Sequence, residues 1–327
     1  MGYSFIFIWD YFDFWVKVKQ NGVRITVIGS LFSLIIALFL FPLFIIIVPN
    51  VYETLQPFIG LILAGVVFYM IFVEKGIDKK FWALAVFLMA GILGIIDLTM
   101  PNLKQPLFPM LSGLFGVSML VVSLSNKTEI PKQRITDSIK IPKFENIRAL
   151  VAGTFSGSIV SFFPGMGPAQ AAILASQLAG RLGTYTFLIL IGGINTVNMA
   201  VSLVSLYTIN KARNGAVLAI REIMTAIDLN TLILFLAAIL FAGGIAVFLA
   251  LFLAKIFIKF IVKVNYSMMC ISVILLIVVM VFYFSSWIGL LILTVATAIG
   301  IIPNVVNVKR SHSMGCLMLP VILFFLL

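Results

Sequence analysis

The chain has 327 residues, 62% of them hydrophobic and only 10% charged, with a net charge of +11. This balance excludes a soluble globular domain, which would need more polar surface, and indicates an all-α, polytopic helical membrane protein. The excess of cations does not indicate nucleic acid, because they sit in short loops between apolar runs, as the positive-inside rule describes, and not on one compact face.

Residues 1 to 24 begin irregularly: Phe5 to Trp9 is apolar, Asp10 and Asp13 interrupt, and Lys17, Lys19 and Arg24 follow. The stretch is too short and too charged to cross a bilayer, and it lacks the basic start, apolar run and cleavage site of a signal peptide. Ile25 to Val48 reads as the first span, bent at Pro42 and ended by Pro49-Asn50, and Pro57 to Val73 as the second. The loop from Glu74 to Lys80 carries three lysines. In the third span, Phe81 to Leu98, Asp97 is a candidate functional group, since an ionisable residue in a span is paired or beside water. Its place beside Thr99-Met100-Pro101 favours an interfacial aspartate over a buried one. A fourth span runs from Pro106 to Leu124, with Gly113 and Gly116 as close-packing positions.

Ser125 to Arg148 is the extended polar linker, with six basic residues against three acidic ones, which places it in the cytoplasm. It divides the chain into a membrane half over 1–124, a linker over 125–148 and a second membrane half over 149–327.

The stretch from Gly153 to Gly180 follows, and its centre, Phe163-Pro164-Gly165-Met166-Gly167-Pro168, is predicted to break a helix in two. Pro164 removes a backbone donor and disfavours helical geometry at Phe163, Gly165 and Gly167 admit positive φ, and Pro168 suits the first turn of a new helix. Gly153, Gly157 and Ser161 form a small-residue stripe on the first half, and Ala171, Ala175 and Ala179 form one on the second, so both halves should lie deep among neighbours. Irregular backbone at membrane depth is tolerated only inside protein or along a watery cavity. The second half would then direct N–H groups around Gly167 to Ala171, with the positive end of its dipole, at an anion in the membrane interior. The competing reading is a Pro/Gly kink in a packing helix, which is common in membrane proteins.

Thr184 to Ile209 is apolar, with an expected interruption over Gly192 to Asn198, beginning at Gly192-Gly193. Asn195 and Asn198 share one helical face and need a partner, either a neighbouring helix or a solute. Ala216 to Ala226 is too short to cross, and Lys211 and Arg213 stand near its start, as a basic loop or as anion contacts. Thr231 to Ala254 spans again, Tyr266 to Phe284 and Trp287 to Val306 make a hairpin through Ser285-Ser286, Lys309 to His312 is a basic loop, and Met314 to Leu327 is a last short apolar segment. The total is about 9 to 11 membrane segments, broken or re-entrant ones included. Charge counting requires an odd number of crossings between 148 and 228, met by one crossing with re-entrant hairpins or by three interrupted crossings. Cys270 and Cys316 read as small apolar core residues.

The run Gly153-x-x-x-Gly157 followed by Pro164-Gly165-Met166-Gly167-Pro168 resembles the signature of the large permease subunit of the tripartite tricarboxylate transporter family, most closely its shorter archaeal-type branch. The approach from Pro106 to Ser118, the basic linker and the polar segment from Tyr207 to Ala216 are similar too, so the likeness covers nearly all of the chain. The resemblance implies a carboxylate permease of the cell membrane driven by a Na+ or H+ gradient, without another cofactor. It also implies work with a small membrane subunit and an extracytoplasmic solute-binding protein. Its site residues carry over to Gly153, Gly157, Pro164, Gly165, Gly167 and Pro168, and to Asn195 and Asn198. Members of the family carry a second Gly-Pro-Gly element in the first half, which nothing before Ile25 supplies, so the first half reads as lacking its N-terminal part.

An enzyme is not expected: His312 is the single histidine, and no Gly-x-Ser-x-Gly, His-Glu-x-x-His or phosphate-loop pattern occurs. The alternatives to anion transport are a lipid-phosphate translocase, which would use the same half-helix dipole, and a truncated permease without transport activity.

Overall fold

A computed structural model describes residues 21–101, 103, 105–126, 143–161, 163, 166–180, 182–212, 214–224, 227–261 and 265–327. Expectations for residues 1–20, for linker residues 127–142, and for Pro164, Gly165 and Arg213 lie outside the described residues. In chain order the helices are α1 (Asn21–Phe39), α2 (Phe41–Leu55), α3 (Ile59–Phe72), α4 (Ile77–Thr99), α5 (Leu107–Leu111), α6 (Ser118–Ser125), α7 (Lys143–Val160), α8 (Pro168–Ala179), α9 (Thr184–Ile209), α10 (Gly215–Ile223), α11 (Leu229–Ile261), α12 (Tyr266–Val305) and α13 (Gly315–Leu326). A π-helical stretch, Ser112–Val117, joins α5 to α6, and a 3₁₀ turn, Arg310–Met314, leads into α13. No strand occurs among the described residues.

Seven helical stretches are long and apolar enough to cross a membrane: Gly22–Phe39, Phe41–Phe72, Ile77–Thr99, Leu107–Ser125, Thr184–Ile209, Leu229–Phe257 and Tyr266–Val305. Their outward faces carry large apolar side chains, among them Leu234, Phe241, Phe248 and Phe252 on α11. Such a surface suits hydrocarbon and not water. The protein is therefore a polytopic helical membrane protein.

Local chemistry moves several helix ends from where the sequence suggests them. The first span breaks at Leu40, with Pro42 in the opening turn of α2, and the helix then continues through Pro49 to Leu55. Pro49 removes one ladder donor, yet the helix runs on through it, so the expected stop at Pro49-Asn50 does not occur. The Gly192-Gly193 pair does not interrupt α9, whose helix is continuous. In α12 the backbone leaves helical geometry at Ser286 (φ 55°, ψ −156°). A Cβ at Gly289 would lie 3.1 Å from Val281, so the chain folds back there as the expected hairpin. At the start of α11, Asp228 accepts from the Thr231 amide at 2.9 Å and from its hydroxyl, which hold its carboxyl below the usual range.

The described residues form two compact units, each made of segments distant in the chain. Residues 21–56 join 143–261, and residues 57–126 join 265–327. The division expected at 124 and 149 follows chain order, whereas these units follow packing. In the first unit α9 lies against α1, α2, α7 and α8. A Cβ at Gly29 of α1 would stand 2.7 Å from the Ile189 Cα, and one at Gly193 of α9 would stand 2.4 Å from the Ser33 hydroxyl. In the second unit α4 lies against α13, and the π-helical stretch and α6 against α12. There Gly94 meets the Cys316 carbonyl, Gly113 meets Ala296, and Gly300 meets the Leu114 carbonyl. Gly113 is thus a close-packing position, as expected. Cys270 and Cys316 are buried.

A buried carboxylate–imidazole pair also marks the second unit. The expected basic loop at 309–312 is instead a tight turn in which His312 is 1% exposed. Its Nε2–H donates to Glu74 Oε1 at 3.1 Å, and the Lys309 backbone N–H reaches the same oxygen at 3.4 Å. Burial holds the imidazole below its ordinary range, against the opposing pull of Glu74.

Candidate functional site

The site is built around the gap between α7 and α8. α7 ends at Val160 and α8 begins at Pro168, so the helix is broken over the Pro/Gly run. Ser161, Phe163, Met166 and Gly167 are all buried, so the described part of the break lies inside protein.

α8 runs back along α7. A Cβ at Gly180, just beyond α8, would lie 3.0 Å from the Arg148 guanidinium near the start of α7. At a rise of about 1.5 Å per residue, Arg148 to Ser161 covers roughly 20 Å and α8 roughly 18 Å. Both lengths fall short of a hydrocarbon core of about 30 Å, as the arms of a re-entrant hairpin would. Among the described residues between 148 and 228, α9 is the helix long and apolar enough to cross.

Glycines fix where α9 stands. A Cβ at Gly153 would be 2.9 Å from the Leu190 carbonyl oxygen, and one at Gly157 would be 2.7 Å from that of Ile194. The Glu145 carboxylate accepts from the Thr186 hydroxyl at 3.2 Å, tying the two helix starts together. α7 and α9 are therefore parallel, and the register that pairs Gly153 with Leu190 and Gly157 with Ile194 runs on to Ser161 and Asn198. Asn198 stands at the level where the helix breaks.

The expected site residues consequently fall into groups. Gly153 and Gly157 sit at the α7–α9 contact. Gly167 and Pro168 open α8. Asn195 and Asn198 are half-buried on α9, and they differ in occupancy. The Asn195 side chain donates to the Ile191 carbonyl one turn back at 3.2 Å, while the Asn198 amide has no hydrogen-bond partner among the described residues. Pro164 and Gly165 are outside the described residues.

The amides at the tip are partly engaged. Gly167 N–H donates to Gln170 Oε1 at 2.9 Å, and Ala171 N–H donates to the Gly167 carbonyl at 3.3 Å. The expectation of open donors from Gly167 to Ala171 is narrowed accordingly. Gln170 is fully buried and was not foreseen from the sequence. A polar residue three places after a helix-opening glycine is the signal that marks it. Lys211, weighed as an anion contact, lies 4.5 Å above the Tyr52 ring and hydrogen-bonds its hydroxyl. Asp97, two residues before the end of α4, is 1% exposed, because Gly94 brings α13 against that face of the helix.

Residues 19–315 match the profile of the Tripartite tricarboxylate transporter TctA family. The chain is also similar to an uncharacterized protein of Methanocaldococcus jannaschii, 29% identical over 308 residues that cover 91% of this chain and 74% of that protein. No solved structure matches.

Proposed function

We propose that this chain, which belongs to the tripartite tricarboxylate transporter TctA family, binds an anionic solute, a carboxylate, at the tip of the α7–α8 hairpin and carries it by secondary transport. The family is one of membrane permeases, and the apolar helices suit that role. The observation that carries the site is Asn198: a half-buried amide without a partner among the described residues, level with the first residue of the break. An amide N–H₂ donates well to a carboxylate, and the N-terminal end of α8 adds a positive dipole beside it. Gly167 and Pro168 open α8 there, Gly153 and Gly157 let α9 approach, and Pro164 and Gly165 belong to the same proposed site by their place in the sequence. Asn195 supports the same face. The system would be completed by a small membrane subunit and an extracytoplasmic solute-binding protein, with linker 125–148 in the cytoplasm and a Na+ or H+ gradient as the driving force.

Binding and uptake of radiolabelled citrate and succinate in proteoliposomes, beside a polyprenyl-phosphate translocation assay, test this reading. Retention of a carboxylate that weakens by roughly ten- to a hundredfold in Asn198→Ala supports it, the loss of one hydrogen bond to a charged group being worth roughly 1.5–3 kcal/mol. Lipid-phosphate movement without carboxylate binding would instead establish a lipid-phosphate translocase.

A further inference from the structure

Asp97 lies near the end of α4, 1% exposed, with neither carboxylate oxygen hydrogen-bonded. Three residues earlier, a Cβ at Gly94 would stand 1.9 Å from the Cys316 carbonyl oxygen, so only glycine allows α13 so close. That carbonyl has no helical donor four residues on, because residue 320 is proline. Neither oxygen of the Asp97 carboxyl thus has a donor at hydrogen-bond distance, and the Cys316 carbonyl lies in the same α4–α13 seam.

The remaining surroundings bring no compensating charge. Beside α13, with Cys316, the elements packed on α4 are α3 with Tyr69, α5 with no titratable group, α12 with Tyr266, Cys270 and Tyr283, and the 310–314 turn with Arg310 and His312. His312 is paired with Glu74, and Arg310 reaches the Met119 sulfur at 2.8 Å. On α4 itself, Asp78, Lys79 and Lys80 sit in the first turn, about 25 Å away along the helix. No group of three or more His, Cys, Asp or Glu residues suited to a metal ion occurs among the described residues. A charged carboxylate buried in protein without a donor or a cation is strongly disfavoured, whereas the neutral acid is not and can donate its proton to a carbonyl.

We propose that Asp97 is a proton-binding site of the transport cycle, its carboxyl neutral while the α4–α13 seam is closed and ionised when water enters it. The O–H bond is the only bond made or broken: the carboxylate takes a proton from hydronium and later returns it to water. The assignment rests on the transport reading for its role and on the seam alone for its chemistry, and the two are separately testable.

The full chain, labelled with ¹³C in its aspartate carboxyls and held in lipid nanodiscs, would be followed by infrared spectroscopy at about pH 7. One of the six aspartates is expected to show a protonated-acid C=O band that disappears in Asp97→Asn. Should that variant fail to accumulate, Asp97→Glu removes the labelled band equally. A spectrum with every aspartate ionised, a band that survives both variants, or a band abolished by sodium at constant pH would overturn the proposal. In proteoliposomes, an inward proton gradient is expected to accelerate carboxylate uptake by the wild type and to leave the Asp97→Asn rate unchanged. Acceleration that persists in Asp97→Asn overturns the role in the cycle. A band present without any carboxylate uptake by the wild type overturns the transport reading alone.

Discussion

Gly157 has no room for a side chain, because a Cβ there would press on the Ile194 carbonyl at 2.7 Å. Backbone cannot yield as a flexible side-chain tip can, so Gly157→Val must separate α7 from α9. Overpacking of this kind costs about 1–3 kcal/mol, and thermal unfolding in detergent should show a lowered midpoint together with lost carboxylate affinity. Gln170 makes a different contribution: its side-chain oxygen is the acceptor for Gly167 N–H. Gln170→Leu leaves that buried donor unpaired at a cost of roughly 1–3 kcal/mol, again read as a lower unfolding midpoint. Asn198→Ala separates the two kinds of role. Its amide has no hydrogen-bond partner among the described residues, so affinity should fall while the unfolding midpoint stays unchanged; a matching drop in both would make Asn198 a packing residue.

At the scale of elements, the α7–α8 hairpin is the unit proposed to bring a helix start into the membrane interior. Its two ends meet near Arg148 and Gly180, which predicts that they face one compartment. Phe144 is exposed, and Gly183 has only the Thr186 hydroxyl within reach, at 3.9 Å of an added Cβ. Cysteines at Phe144 and Gly183 should accordingly react with a membrane-impermeant maleimide from the same side of sealed vesicles, over a low background from buried Cys270 and Cys316. Labelling from opposite sides would show that the segment crosses, and would remove the re-entrant tip on which the proposed site depends. The turn at Ser286 has a similar effect on α12. Its 40 residues would make a rod of about 60 Å, twice the hydrocarbon thickness, unless the chain reversed.

Across the whole molecule, stability should depend on pH through the pair that joins residues 74 and 312. His312 is held below its ordinary range by burial, so the fold favours neutral imidazole. Its contribution is fully present above the unfolded value of about 6.5 and is lost as pH falls below it. The unfolding midpoint should therefore drop between about pH 7.5 and pH 5.5, and less steeply in His312→Gln. An equal slope in the two proteins would assign the dependence to other groups.

The membrane class, the helix break and the shared face of Asn195 and Asn198 were determined by the sequence alone, because each follows from composition or from residues within two turns of one another. Proline and glycine at 164–168 act on their own backbone wherever the chain is placed. The burial of Asp97, the continuity of α9 through Gly192-Gly193 and the Glu74–His312 pair were decided only by tertiary structure. Each depends on a neighbour far along the chain: Cys316 for Asp97, Thr26 and Ser33 for the paired glycines, and a turn 238 residues away for Glu74. The same glycines that read as interruptions in a string of letters become, once α1 lies against them, the places where two helices touch.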